Sequence, residues 1–180
     1  VWVWLAAMTA EFGIPTWLKA RPVLYLISHM AIMPLIDLLL TGLEWGPRGG
    51  VVPGLFLFLL LSCVNGCVLE IGRKLWAPAN EILGVDTYSG LWGPKKAALI
   101  WATCVITSFA LLLGIGLATG VLWISMVLGG CGIAVCLASA FNYANKPTAT
   151  AEKRLDALAG LWVFACYAIA GFAPIITRIF

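Results

Sequence analysis

LFLFLLLSCVNGCVLEIGRK, residues 55–74, carries no charge as far as Leu69 and then turns charged at Glu70, Arg73 and Lys74. Its uncharged part belongs to an apolar run over 51–69, long enough to cross the hydrocarbon core of a bilayer as a helix. The run is continuous rather than alternating, so a half-buried strand is excluded. In lipid only helices and closed barrels satisfy their backbone polar groups, and continuous runs select helices. The first stop signal beyond the charges is Pro78, so the helix is predicted to continue to Trp76. This one stretch therefore predicts a membrane helix that ends in a charged surface.

The rest of the chain repeats the pattern. Hydrophobic residues make up 62% of it and charged residues 11%, with mean hydropathy +1.01. Soluble domains run near a quarter charged, so a compact soluble fold is excluded. Full spans are predicted over about 22–40, with Pro34 as a kink, then 51–69, 97–117, 121–141 and 155–176. A partial span ends near Phe12 and Gly13. The chain opens on VWVWLAAM, apolar and without a basic region, which does not read as a signal peptide. It reads as the tail of a membrane helix, and the expectation is the C-terminal part of a longer protein. The residues 41–50 form a turn-rich loop, and NYANKPTATAEKR a polar one. The fold class expected is all-α, a polytopic transmembrane bundle of one partial and five full spans in a single domain.

Alternate loops differ in charge. On one side stand Lys19, Arg21, Arg73, Lys74, Lys95, Lys96, Lys146, Lys153 and Arg154, nine in all; the other side holds Arg48 and Arg178. Positive charge in short loops marks the cytoplasmic side. The charged loop is thus expected inside and the C-terminus outside, with Trp17, Trp45, Trp76 and Trp92 near the interfaces.

Between 70 and 96 the chain gathers Glu70, Arg73, Lys74, Glu81, Asp86, Lys95 and Lys96. Carboxylates beside bases at a membrane surface suit a Mg²⁺-bound polyphosphate, the acids holding metal and the bases taking phosphate oxygens. Against this stands a plain reading, in which Glu70 and Lys74 pair at i,i+4 on the helix and the remainder is a solvated loop. Elsewhere the signals are weaker. Six cysteines lie inside apolar runs and read as small buried hydrophobes; Cys63 and Cys67 share a helix face without a second pair to complete a zinc site. His29, Met33 and Asp37 share a face of the second span, where an ionisable residue is a functional candidate by default. Asn65 either lines a pocket or bridges helices. GIGLATG, 114–120, lacks the strand and lysine of a phosphate loop and reads as a turn. No Ser-His-Asp set, CxxC pair, nucleic-acid patch or CDP-alcohol signature D-G-x-x-A-R is present.

The order Glu70, then Asn80 and Glu81, then Gly84, then Thr87 to Ser89, then LWG at 91–93 resembles the second acidic motif of the UbiA-type intramembrane prenyltransferases. It is especially similar to bacterial members reading E-I-x-R-K-x-x-A-P, an acidic stretch, then G-V-x-T-Y-S. ARPVLYLISHMAIMPLIDL, 20–38, is similar to the same group. Three positions depart from the pattern: Lys74 stands where the family usually carries Asp, and Ala79 and Asn80 stand where this group carries acids.

The resemblance implies a nine-helix fold of which these residues form helices four to nine. The family's other motif, N-x-x-x-D-x-x-x-D, is expected upstream. It implies Mg²⁺-dependent transfer of an isoprenoid from an allylic diphosphate to an acceptor within the bilayer, in a bacterial inner membrane. Glu70 and Lys74 would be catalytic. Arg73, Lys74, Asn65, Tyr88 and Ser89 would bind substrate, and Glu70, Asn80, Glu81 and Asp86 would hold Mg²⁺. The alternative is a degenerate, non-catalytic relative acting as a membrane binding or transport protein.

Overall fold

The computed structural model describes residues 1–47, 49–52 and 54–179, the last two by backbone alone. Arg48, the Arg178 side chain and Phe180 lie outside the described residues, so the sparse side of the charge count rests on sequence. Among the described residues every regular element is a helix: α1 (Trp2–Thr9), α2 (Pro15–Lys19), α3 (Pro22–Met30), α4 (Ile32–Trp45), α5 (Leu55–Arg73), α6 (Tyr88–Trp92), α7 (Pro94–Thr119), α8 (Leu122–Asn145) and α9 (Ala149–Ile179), with short 3₁₀ turns at Glu11–Gly13 and Pro78–Asn80. Five segments are long and apolar enough to cross a membrane: Pro22–Trp45, Leu55–Arg73, Pro94–Thr119, Leu122–Asn145 and Ala149–Thr177. This is an all-helical chain associated with the lipid bilayer.

Proline and threonine explain where the spans bend and end. The kink expected at Pro34 appears one turn earlier, at Ala31 between α3 and α4. Proline has no N–H to give the Met30 carbonyl, and its ring crowds that carbonyl. The helix then runs past the expected end to Trp45, through the single Gly42, and stops before the Gly46–Pro47 pair. The supposed polar loop after α8 shrinks to 146–148. Pro147 cannot continue the helix, and Thr148 accepts the Ala151 N–H (3.3 Å) to start α9.

One expectation is corrected at the charged surface. Helix α5 ends at Arg73, not Trp76. The Tyr88 N–H takes the Lys74 carbonyl (3.1 Å), and Ser89 Oγ accepts the Trp76 N–H (2.8 Å). The chain after Pro78 folds back and captures the backbone groups that another helical turn would need.

Helices α5, α7, α8 and α9 form the bundle, each packing on its neighbours. In the most apolar 18 residues of the Leu55–Arg73 span 44% are buried, against 6% in those of Pro22–Trp45, so α5 is central and α3–α4 peripheral. Between helices already in lipid, close packing and interhelical hydrogen bonds hold the fold. Trp101 is wholly buried and gives its indole N–H to the Val68 carbonyl (2.9 Å). Gly72 lets α5 approach α9: a Cβ there would stand 2.5 Å from Ala159 Cβ. Asn65 bridges helices, accepting from Ser108 Oγ (2.7 Å), which accepts the Trp162 indole N–H (2.9 Å). Asp37 pins α4 to the bundle by accepting from the Tyr167 hydroxyl (2.8 Å), whose oxygen lies 3.0 Å from Ser62 Oγ.

The bundle's direction follows from its contacts. Tyr143, near the end of α8, donates to the Trp76 carbonyl (2.6 Å), and Glu152, near the start of α9, reaches the Ala77 N–H (2.7 Å). The end of α5, the start of α7, the end of α8 and the start of α9 thus share one end, with Lys74, Lys95, Lys96, Lys146, Lys153 and Arg154. The left-handed residues Glu11 and Phe12 (φ 47° and 54°) turn the chain before α2. Side chains with a Cβ resist that conformation, at a cost of roughly 1–2 kcal/mol per residue.

Candidate functional site

At the charged end of α5 lies a cavity of about 200 Å³, lined by Lys19, Pro22, Tyr25, Lys74, Asp86, Tyr88 and Leu91. Three separate stretches build it: the α2–α3 corner, the last turn of α5, and the segment returning into α6.

Lys74 enters the cavity from α5. Its Nζ stands 2.8 Å from Glu70 Oε1 and 6.0 Å from the Tyr88 ring centre. The ion pair is the i,i+4 contact that helix geometry provides, and at this exposure such a pair contributes about 0.3–0.5 kcal/mol. Glu70 therefore stands behind Lys74 rather than on the cavity wall. Arg73 is exposed, and its carbonyl accepts the Trp76 indole N–H (3.1 Å). Tyr88 is buried and stacks near Trp92 (4.8 Å between ring centres). Burial pushes its phenol well above the usual range, with the Glu70 charge adding to the shift, so it stays protonated and able to donate. Asp86 is exposed and makes no hydrogen bond or ion pair among the described residues. From the α2–α3 corner, Lys19 lines the same cavity and pairs with Glu11 (2.9 Å); the hydrogen bond to Glu11, then its charge, raises the Lys19 ammonium above its ordinary range.

The remaining expected site residues build the loop instead of facing the cavity. Glu81 accepts from the Thr87 hydroxyl (2.6 Å) and from Ser89 Oγ (2.8 Å). Thr87 in turn caps α6 by accepting the Gly90 N–H (2.9 Å). Asn80 gives its side-chain N–H to Glu152 Oε2 (2.8 Å), the same oxygen that takes the Ala77 N–H. Asn65 lies wholly buried between helices, and its Nδ2 has no hydrogen-bond partner among the described residues. Lys74, Asp86 and Tyr88 thus meet at the cavity with Glu70 one step behind, while Asn80, Glu81 and Ser89 hold the loop's shape. Among the described residues no three of His, Cys, Asp and Glu gather in a group able to hold a metal ion.

Four contributors are not foreshadowed by the sequence. Lys19 and Tyr25 reach the cavity from more than forty positions away, and Lys19 carries only a topological signal. Glu152 and Tyr143 clasp the loop across separations of 75 and 67 positions. One clue to Glu152 is present, a single acid beside Lys153 and Arg154 at a helix start. Comparison with protein-family models, with curated proteins and with solved structures gives no match to this chain.

Proposed function

We propose that this chain binds the diphosphate of an isoprenoid at the Lys74–Asp86–Tyr88 cavity and transfers the prenyl group to an acceptor, as a prenyltransferase of the UbiA type. The cavity carries the proposal, because it joins a lysine ammonium, a protonated phenol and an unpaired carboxylate at the mouth of an apolar bundle. Lys74 uses one of its three N–H donors on Glu70 and keeps two for phosphate oxygens. Tyr88 adds a neutral donor. Such charge-assisted bonds strengthen as negative charge gathers on the departing diphosphate, which is what lowers the barrier.

The charge around the cavity decides the form of the substrate. Each lysine is already paired with a carboxylate, Lys19 with Glu11 and Lys74 with Glu70, and Asp86 adds a third acid at the wall, so a bare diphosphate meets lysines whose charge is partly offset. A resident Mg²⁺ centre does not fit the described acids, since Glu81 is taken by Thr87 and Ser89 and no three acids gather around one point. Mg²⁺ fits as part of the substrate. It habitually binds through one or two carboxylates plus substrate phosphates, and Asp86 supplies the carboxylate. The ion contributes positive charge to the diphosphate it carries.

Lys74→Gln tests the reading. With geranylgeranyl diphosphate and Mg²⁺, the variant in detergent is expected to bind about tenfold more weakly, the worth of one charge-assisted contact of roughly 1.5 kcal/mol. Unchanged binding would show that the cavity is not the diphosphate site. A second reading, a non-catalytic binding protein, is favoured by one observation: Glu81, the acid at the centre of the motif, is engaged within the loop. Tight Mg²⁺-dependent binding without transfer would select it.

The same proposal places the charged end in the cytoplasm of a bacterial cell. Leu83 at the loop tip is fully exposed, and Val52 lies at the opposite end. In a variant without the six native cysteines, Leu83→Cys should react with an impermeant thiol reagent only after cells are opened, and Val52→Cys in intact cells. The reverse pattern inverts the topology.

A further inference from the structure

The two lysines of the cavity are paired in different ways. Glu70 and Lys74 sit one turn apart at the end of α5, Lys74 at its C-cap, and their contact needs no left-handed backbone. Glu11 reaches Lys19 across a bend in which Glu11 and Phe12 both adopt left-handed conformations that side chains disfavour. The bend is clamped by Phe12, whose ring lies edge-on to Trp4 (5.3 Å) and His29 (6.0 Å). Glu11 gains little in return. One carboxylate oxygen meets Lys19, while the other, Oε2, is buried with no hydrogen-bond partner. A buried carboxylate oxygen without a donor is costly, and strained, under-satisfied groups of this kind cluster at switch regions. Lys19 itself faces the cavity alongside Lys74, and its side chain is 55% exposed, so an incoming anion can reach it.

Resting on the diphosphate reading above, we propose that Lys19 is the second cation of the cavity and that Glu11 is its built-in competitor, a carboxylate occupying the place a phosphate oxygen takes. Binding exchanges one anion for another on the Lys19 ammonium. Released, Glu11 turns its unsatisfied oxygen to water, and the two lysines, from separate stretches of the chain, both hold the diphosphate. The exchange makes the resting cavity less attractive to weaker anions, which must displace Glu11 to bind.

The test is calorimetric titration of the detergent-solubilised chain with inorganic pyrophosphate and Mg²⁺. Glu11→Gln keeps the shape and removes the competing charge. It is expected to tighten binding roughly threefold to fivefold, the reach of one surface ion pair. Lys19→Gln should weaken binding, Lys19→Arg should largely restore it, and Glu11→Gln should give no gain when combined with Lys19→Gln. If Glu11→Gln does not fold, Glu11→Asp, which shortens the reach to Lys19, should also tighten binding. Weaker or unchanged binding in the Glu11 variants, with Lys74→Gln still impairing it, overturns the competitor and leaves the cavity standing. Pyrophosphate binding indifferent to Lys74 and Lys19 alike overturns both.

Discussion

Glu152→Ala is expected to release the loop between α5 and α6 and, on the proposed prenyl transfer, to cut turnover about a hundredfold. One carboxylate oxygen of Glu152 holds two donors, the Ala77 N–H at 2.7 Å and the Asn80 side chain at 2.8 Å. Hydrogen bonds to a charged group are worth about 1.5–3 kcal/mol, and removing the acceptor leaves both donors stranded. Ala77 follows Trp76, whose N–H meets Ser89 and whose carbonyl meets Tyr143. Slackening there moves the Ser89–Tyr88 segment, and with it the phenol facing the cavity. A displacement near 1 Å of a positioning group costs about a hundredfold in rate. Hydrogen exchange separates this from general damage: amides over 76–90 should exchange faster while those of α7 and α8 stay protected. Unchanged exchange in the loop would mean that Glu152 does not hold it. Glu152→Gln should recover part of the effect, because its amide oxygen can still accept.

What the residues disclose in advance follows the range of each interaction. Span number and rough position come from hydropathy, a property local to each run, and LFLFLLLSCVNGCVLE needs no distant residue to become a membrane helix. The kink at Pro34 is equally local, a missing donor and a steric clash within one turn. The end of α5 is not. Nothing in RKLW says that Tyr88 and Ser89 will return to take the backbone of Lys74 and Trp76. The site divides in the same way. Glu70 beside Lys74 is legible as an i,i+4 pair, and that pair is present at 2.8 Å. That Glu81 would cap a loop while Asp86 stands open depends on Thr87 and Ser89 turning inward, a choice that sequence spacing does not record. Lys19 and Glu152 enter only through tertiary folding, and a single sequence offers no pattern that couples them to Lys74.

Gly72→Ala is expected to destabilise the bundle by about 1–3 kcal/mol, the usual cost of overpacking. Alanine is the better helix former by up to about 1 kcal/mol, so propensity alone gives the opposite sign. Geometry decides between them. The added methyl would lie 2.5 Å from Ala159 Cβ and 3.0 Å from the Trp101 indole nitrogen. Ala159 has no flexible side chain to yield, so α5 and α9 must separate. Trp101 is wedged in place by its bond to the Val68 carbonyl and cannot swing aside without losing it. Thermal unfolding in detergent should show the loss, and indole fluorescence should report a changed Trp101 environment. Ala159→Gly supplies the compensating space, and the double variant should recover most of the stability. A stable Gly72→Ala protein, or a double variant no better than the single, would mean that the α5–α9 contact is looser than its spacing implies. The consequence reaches the cavity, because Gly72 lies midway between Glu70 and Lys74 on the same two turns of helix. If the close approach of α5 to α9 is what fixes Lys74 against Tyr88, Gly72→Ala should weaken pyrophosphate binding as well as stability, and Ala159→Gly should restore both together.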